Sequence, residues 1–323
     1  MGRKGGGHAL IFLSTLNQMA FLVVLIGIGY YLAKKAIVPD HTERILSKLE
    51  NAVFIPALVL GTFMDNFTTE KLSTAWQYLA GGCGVLLLSL PAAIFISRKL
   101  SKDEYIQKIY TYGLGFSNFG FMGNAVVMAL FPDFFMDYLV LTLPFWIMIY
   151  LWAVPSLLIP SDGPKKTLKD RLRSFLNPMI IATFIGMIIG LIDPPLPAFI
   201  SSSISSLGNC MSPIAMLLTG MTVARIDLKK ILKNISIYQI TAVRLLVFPL
   251  ILLAVFLILP LPYGVTACML CAVSMPLGLN TIVVPSAYGK DTSVAAGMAL
   301  ISHGLSCLSI PLVFTLFEWI VGR

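Results

Sequence analysis

The chain has 323 residues, 57% of them hydrophobic and 12% charged, and a formal net charge of +8. Soluble domains carry about 25% charged residues, so the composition excludes a soluble enzyme or binding module and indicates an all-α integral membrane protein. The surplus cations lie mainly in short connections, where they act as an orientation signal and give no indication of a nucleic-acid partner.

In chain order, ten apolar stretches are long enough to cross a bilayer, for which a helix needs roughly 17 to 25 residues. They run from 9 to 33, 43 to 64, 72 to 97, 107 to 131, 137 to 160, 176 to 192, 196 to 223, 234 to 259, 264 to 288 and 293 to 321. The leading MGRKGGGH is expected to be flexible, and the first stretch is too long for a secretory h-region and lacks a small-residue cleavage site, so it is expected to be retained. Only DPPLP, 193 to 197, separates stretches six and seven. The longest polar interruption, SDGPKKTLKDRLRS at 161 to 174, has the length and composition of a cytoplasmic linker. It divides a first unit, 1–160, from a second, 175–323.

Lys and Arg in short loops stay on the cytoplasmic side. The connections after stretches one, three, five, seven and nine, with their flanks, hold eighteen cations, and the opposite side holds Arg3, Lys4, Lys71 and Arg323. Both termini are therefore expected outside a plasma or bacterial inner membrane. All five cysteines fall inside apolar stretches; Cys268 and Cys271 form a CxxC with no second ligand pair, so reduced buried thiols are expected, with no metal and no cofactor.

The two halves share landmarks. Pro56 aligns with Pro213, Pro91 with Pro249, Pro155 with Pro311 and Gly27 with Gly186, at offsets between 156 and 159. With five stretches in each half, the second would enter the membrane from the opposite face, which makes an inverted repeat of the kind found in secondary transporters. The same offset joins GFSNFGFMGNAV, 115 to 126, to SMPLGLNTIV in stretch nine, pairing Ser117 with Ser274 and Asn124 with Asn280.

Gly115, Gly120 and Gly123 in the one, and Pro276 and Gly278 in the other, weaken a helical hydrogen-bond ladder. Freed backbone groups in a membrane must be lined by protein, water or ligand. A broken helix exposes N–H groups and a partial positive charge at a half-helix N-terminus, which suits an anion. Asn118, Asn124, Asn280 and Thr281 would add polar groups, and Met122, Met275 and Leu279 an apolar lining. The competing reading is that the small residues serve only close helix packing.

Two interior residues carry double readings. Arg244 is either a counter-charge for an anion or a structural arginine bound to carbonyls or snorkelling to the surface. His303 is either a carrier of a coupling proton or a neutral, hydrogen-bonded packing histidine. Asn51 and Asn209, just before the paired prolines, either face the substrate or bond between helices. Glu50, Asp65, Asp193 and Glu318 lie near stretch ends, which disfavours an ion pathway built on buried acids.

These residues resemble the auxin efflux carrier family, which includes plant PIN auxin exporters and bacterial malonate-type permeases. The likeness spans the chain: IVPDHTERILSKLENAVFIPALVL, SNFGFMGNAV, RLLVFP from Arg244 to Pro249, and MPLGLNTIVVPSAYGKD with Pro276, Tyr288, Gly289 and Asp291. One departure is Ala125, where the family usually has proline, so stretch four would be broken by glycines alone. The resemblance implies ten spans as two inverted five-helix repeats, a scaffold of spans one, two, six and seven, and a mobile bundle of the others with spans four and nine crossing at the site. It also implies a homodimer and export of small organic anions by an elevator-like motion; the coupling ion, proton or sodium, stays open. An intramembrane enzyme lacks its constellation of nucleophile and base, a ligand sensor lacks an appended signalling domain, and a passive channel is the remaining alternative.

Overall fold

The computed structural model describes residues 4–159, 178–225, 233–288 and 290–321. The described residues are almost entirely helical. They form α1 (Lys4–Lys34), α2 (Thr42–Leu49), α3 (Ile55–Asn66), α4 (Thr69–Leu100), α5 (Glu104–Gly115), α6 (Asn124–Leu130), α7 (Phe135–Met148), α8 (Pro178–Ile192), α9 (Ala198–Asn209), α10 (Met211–Ala224), α11 (Ile235–Ala242), α12 (Phe248–Ile258), α13 (Tyr263–Ser274), α14 (Asn280–Ala287) and α15 (Ser293–Ile320). The described parts of the ten apolar stretches are largely helical, with interruptions inside stretches four and nine. Six continuous helical runs are long and apolar enough to span a bilayer: Thr42–Asn66, Ser73–Leu100, Pro132–Leu158, Ala198–Ala224, Ile235–Ile258 and Ser293–Ile320. The linker 161–174 lies outside the described residues. At the N-terminus, α1 already begins at Lys4, so Gly5 to His8, expected to be flexible, continue the apolar helix that follows them.

The chain's own chemistry sets the helix ends and bends. Asp103 caps α5 by accepting the Ile106 N–H at 3.0 Å, and Thr68 caps α4 from Lys71 N at 3.3 Å. Proline lacks an N–H and its ring crowds the carbonyl four residues back. At Pro56 and Pro249 the helix absorbs this by widening into a π turn just upstream, at Glu50–Phe54 and Val243–Val247. DPPLP does separate two helices, α8 from α9, with Asp193 at φ 48°.

Packing falls into two groups. In one, α1 lies along α10, α3 against α8 and α9, and α2 against α10. In the other, α4 packs on α5, α7 and α13, and α13 also on α7 and α12. The broadest contact between the groups is α1 against α15.

Candidate functional site

Two helices stop inside the second packing group. Helix α5 ends at Gly115, Phe116 turns extended (φ −124°, ψ 108°), and the chain rewinds through a π turn, Phe119–Gly123, into α6. Helix α13 ends at Ser274, Met275 is extended (φ −70°, ψ 150°), and the chain rewinds as α14. The unwound segments pair antiparallel, with Ser117 opposite Leu277 and the Asn118 N–H donating to Pro276 O at 2.7 Å. Span four breaks without the family proline, because Ala125 sits inside α6, downstream of the break.

Close approach demands small residues here. A Cβ on Gly278 would stand 2.9 Å from Phe116 O, and one on Gly123 would run into the Tyr138 hydroxyl, which donates to Phe119 O at 3.0 Å. Packing and interruption are therefore two aspects of one arrangement.

Arg244 closes the carbonyl ends. Buried to 2% exposure, it donates from Nη1 to Leu114 O (2.7 Å), from Nη2 to Ala272 O (3.1 Å) and from Nε to Met275 O (3.1 Å). Leu114 O and Ala272 O belong to the last turns of α5 and α13, where a helix carries about half a negative charge, and Met275 O lies just past the end of α13. Two such ends match one guanidinium. The structure thus brings out the carbonyl-bound reading of Arg244.

The N-terminal ends are open. The N–H groups of Phe119 and Gly120 in one arm, and of Leu279 and Asn280 in the other, make no hydrogen bond to a described residue. Buried N–H groups in native proteins are nearly always paired.

The side chains at the crossing are wired across it. Ser117 Oγ donates to Ala272 O at 2.6 Å, and Leu277 N–H donates to Ser302 Oγ at 3.2 Å. Asn280 Nδ2 donates to Tyr112 Oη at 2.8 Å, and Thr281 Oγ1 to Gly278 O at 2.8 Å. Asn118 Nδ2 lies 3.0 Å from His303 Nε2, and His303 Nδ1 lies 2.7 Å from Ala299 O. Asn124 is buried with its amide bonded to no described residue, and the Ser274 hydroxyl is buried and unpaired. Gly120 abuts Trp146. Asn51 and Asn209 are elsewhere: Asn51 is exposed and donates to Ser47 O at 2.7 Å, and Asn209 is exposed beside a cleft of about 220 Å³ between α3 and α9, shared with Asp65, Lys71 and Asp133.

Glu50 corrects the expectation that acids keep to span ends. It opens the π turn before Pro56, is 0% exposed, and neither carboxyl oxygen has a partner among the described residues. Its distance from the span start hid it; Pro56, six residues on, with the helix widening upstream of it, was the available signal.

Among known proteins, the chain matches the membrane transport protein family (Mem_trans) over residues 14–168 and 165–314. It belongs to that family, the auxin efflux carrier family, and is a multi-pass membrane transport protein. It is also similar to a Rhizobium meliloti (strain 1021) protein named "Putative malonate transporter", at 24% identity over 302 residues, covering 88% of this chain and 90% of the relative.

Proposed function

We propose that the protein is a secondary carrier of small organic anions, carboxylates above all, with its site where the two interrupted helices cross. The observation that carries this reading is the asymmetry of their ends: Arg244 pairs with the carbonyl side, while four N–H groups of the opposite side have no partner among the described residues. Such donors favour negative charge, and Asn118 and Asn280 stand beside them. A relative named for malonate transport is in keeping with a carboxylate cargo.

The two packing groups suggest how the site moves. The group of α1, α2, α3, α8, α9 and α10 acts as scaffold and the remainder as the moving bundle, in an elevator-type cycle between inverted repeats with both termini outside. A homodimer forms through the scaffold, and the cargo leaves the cell. The test is flux of malonate in proteoliposomes. Replacing Asn118 and Asn280 together by alanine is expected to abolish flux while thermal unfolding stays near that of the parent; unchanged flux removes both residues from the site. Saturation and counterflow mark a carrier, and their absence a channel.

A further inference from the structure

We propose that His303 is the proton site of this transporter, loaded only together with an anionic cargo, so that anion and proton move as a pair. The inference rests on the crossing being the anion site, and it names the coupling ion left open above.

The hydrogen-bond roles fix the resting state. Ala299 O can only accept, so the bond at 2.7 Å requires the proton on His303 Nδ1. The Asn118 Nδ2 amide can only donate, so the bond at 3.0 Å requires a bare Nε2. The imidazole is therefore neutral, with one tautomer selected by its two partners. Adding a proton to Nε2 breaks the bond to Asn118 unless the amide turns over and offers Oδ1 instead. That turn aims the whole NH2 group away from His303. One protonation thus alters both the charge at the crossing and the face presented by Asn118.

The surroundings decide when that proton is held. Helix α15 packs against α1, α10, α11, the π turn Val243–Val247, α12, α13 and α14. The charged or titratable groups on these elements are Lys4, His8, Tyr30, Tyr31 and Lys34 of α1, Tyr238 of α11, Arg244, and Tyr263, Cys268 and Cys271 of α13. Not one of those elements contains an Asp or Glu. On α15 itself the acid is Glu318, fifteen residues and about 22 Å of helix away, and it accepts from the Tyr263 hydroxyl. Arg244 adds positive charge near the same crossing. An imidazolium here has no acidic partner on the described elements that pack against α15, and an unpaired charge in the membrane interior is expensive. An anion on the free N–H groups of Phe119 and Gly120, which follow Asn118 directly, supplies the missing counter-charge. Each ligand then raises the affinity for the other, as linkage demands.

Two measurements test this. Nitrogen-15 spectra of histidine-labelled protein, with the signal assigned by loss in His303→Gln, are expected to show a neutral Nδ1–H ring without ligand and a doubly protonated ring with saturating malonate. Calorimetry at neutral pH in buffers of different ionisation enthalpy is expected to give uptake of about one proton per bound malonate, lost in His303→Gln. A charged or Nε2–H ring in ligand-free protein overturns the proposal, as does proton uptake that persists in His303→Gln, which assigns the proton to malonate itself. Failure of malonate, acetate and succinate alike to bind the parent overturns the carboxylate site and with it the paired loading, whereas the ligand-free spectrum reports on the His303 tautomer independently.

Discussion

The two arms of the crossing are built to one plan from different materials. In the first, glycines let the chain rewind through a π turn, and Asn118 is held by a titratable ring, His303, from the other half of the sequence. In the second, Pro276 and Gly278 give a longer extended stretch, and Asn280 is held by a phenol, Tyr112, again from the other half. Each asparagine is thus joined to the other half of the sequence by one side-chain hydrogen bond. The difference lies in what the anchors can do: a phenol is a fixed neutral partner over the physiological range, and an imidazole is not. If the halves arose as equivalents, the first arm is the one that acquired responsiveness to protons.

The largest break in this comparison comes from the residue both arms share. Arg244→Ala strands two carbonyls that accept from the guanidinium, Leu114 O in one arm and Met275 O in the other, and leaves Ala272 O with the Ser117 hydroxyl alone. An unsatisfied buried acceptor costs about 1–3 kcal/mol, so a loss on the order of 3 kcal/mol or more is expected in thermal or denaturant unfolding in detergent. Arg244→Lys keeps the charge and loses the fork, and is expected to recover only part of it. If Arg244→Ala unfolds like the parent and fails only in transport, the guanidinium serves the cargo and not the helix ends.

The arms should also differ in their tolerance of a methyl group. Gly278→Ala places Cβ 2.9 Å from a backbone oxygen that has nowhere to go, and a loss of about 1–3 kcal/mol is expected. At Gly123 the obstacle is the tip of a side chain, the Tyr138 hydroxyl. Gly123→Ala combined with Tyr138→Phe should therefore recover stability relative to Gly123→Ala alone, whereas no second-site change of this kind rescues Gly278→Ala. A double-mutant cycle at Gly123 and Tyr138 that shows strict additivity defeats this reading.

How much of this was visible in the sequence depends on the range of the interaction. The helices, their proline bends and the two interruptions were legible because each follows from local residues: an apolar run, a proline, a cluster of glycines. What the sequence withheld were contacts between segments more than a hundred residues apart. Arg244 stood open between two roles until Leu114 O, 130 residues away, was seen to accept from it. His303 could not be joined to Asn118, 185 residues earlier, by any periodicity. Glu50 was misplaced for a related reason: position along a helix gives depth, but burial depends on the helices packed around it, here α8, α9 and α10. Those three helices carry no acid or base to pair with it, and Glu50→Gln, which keeps the shape of the side chain, should change stability by less than about 1 kcal/mol.

The smallest effect gives the sharpest comparison, because it uses one residue type at matched positions. The Ser117 hydroxyl donates to Ala272 O, tying the first arm to the end of α13, whereas the Ser274 hydroxyl is buried without a partner. A net intramolecular hydrogen bond contributes about 0.5–1.5 kcal/mol, so Ser117→Ala should cost that much. At Ser274 the bond is missing, and trading an unpaired buried hydroxyl for a methyl hydrogen removes a desolvated polar group. Ser274→Ala is therefore expected to be neutral or slightly stabilising in the ligand-free protein. The same change acquires a cost once cargo is bound only if the free hydroxyl is kept for the cargo. Unfolding of both variants with and without malonate separates these cases: a Ser274→Ala penalty that appears only with malonate places that hydroxyl against the ligand, and equal penalties at Ser117 and Ser274 without ligand contradict the asymmetry between the arms.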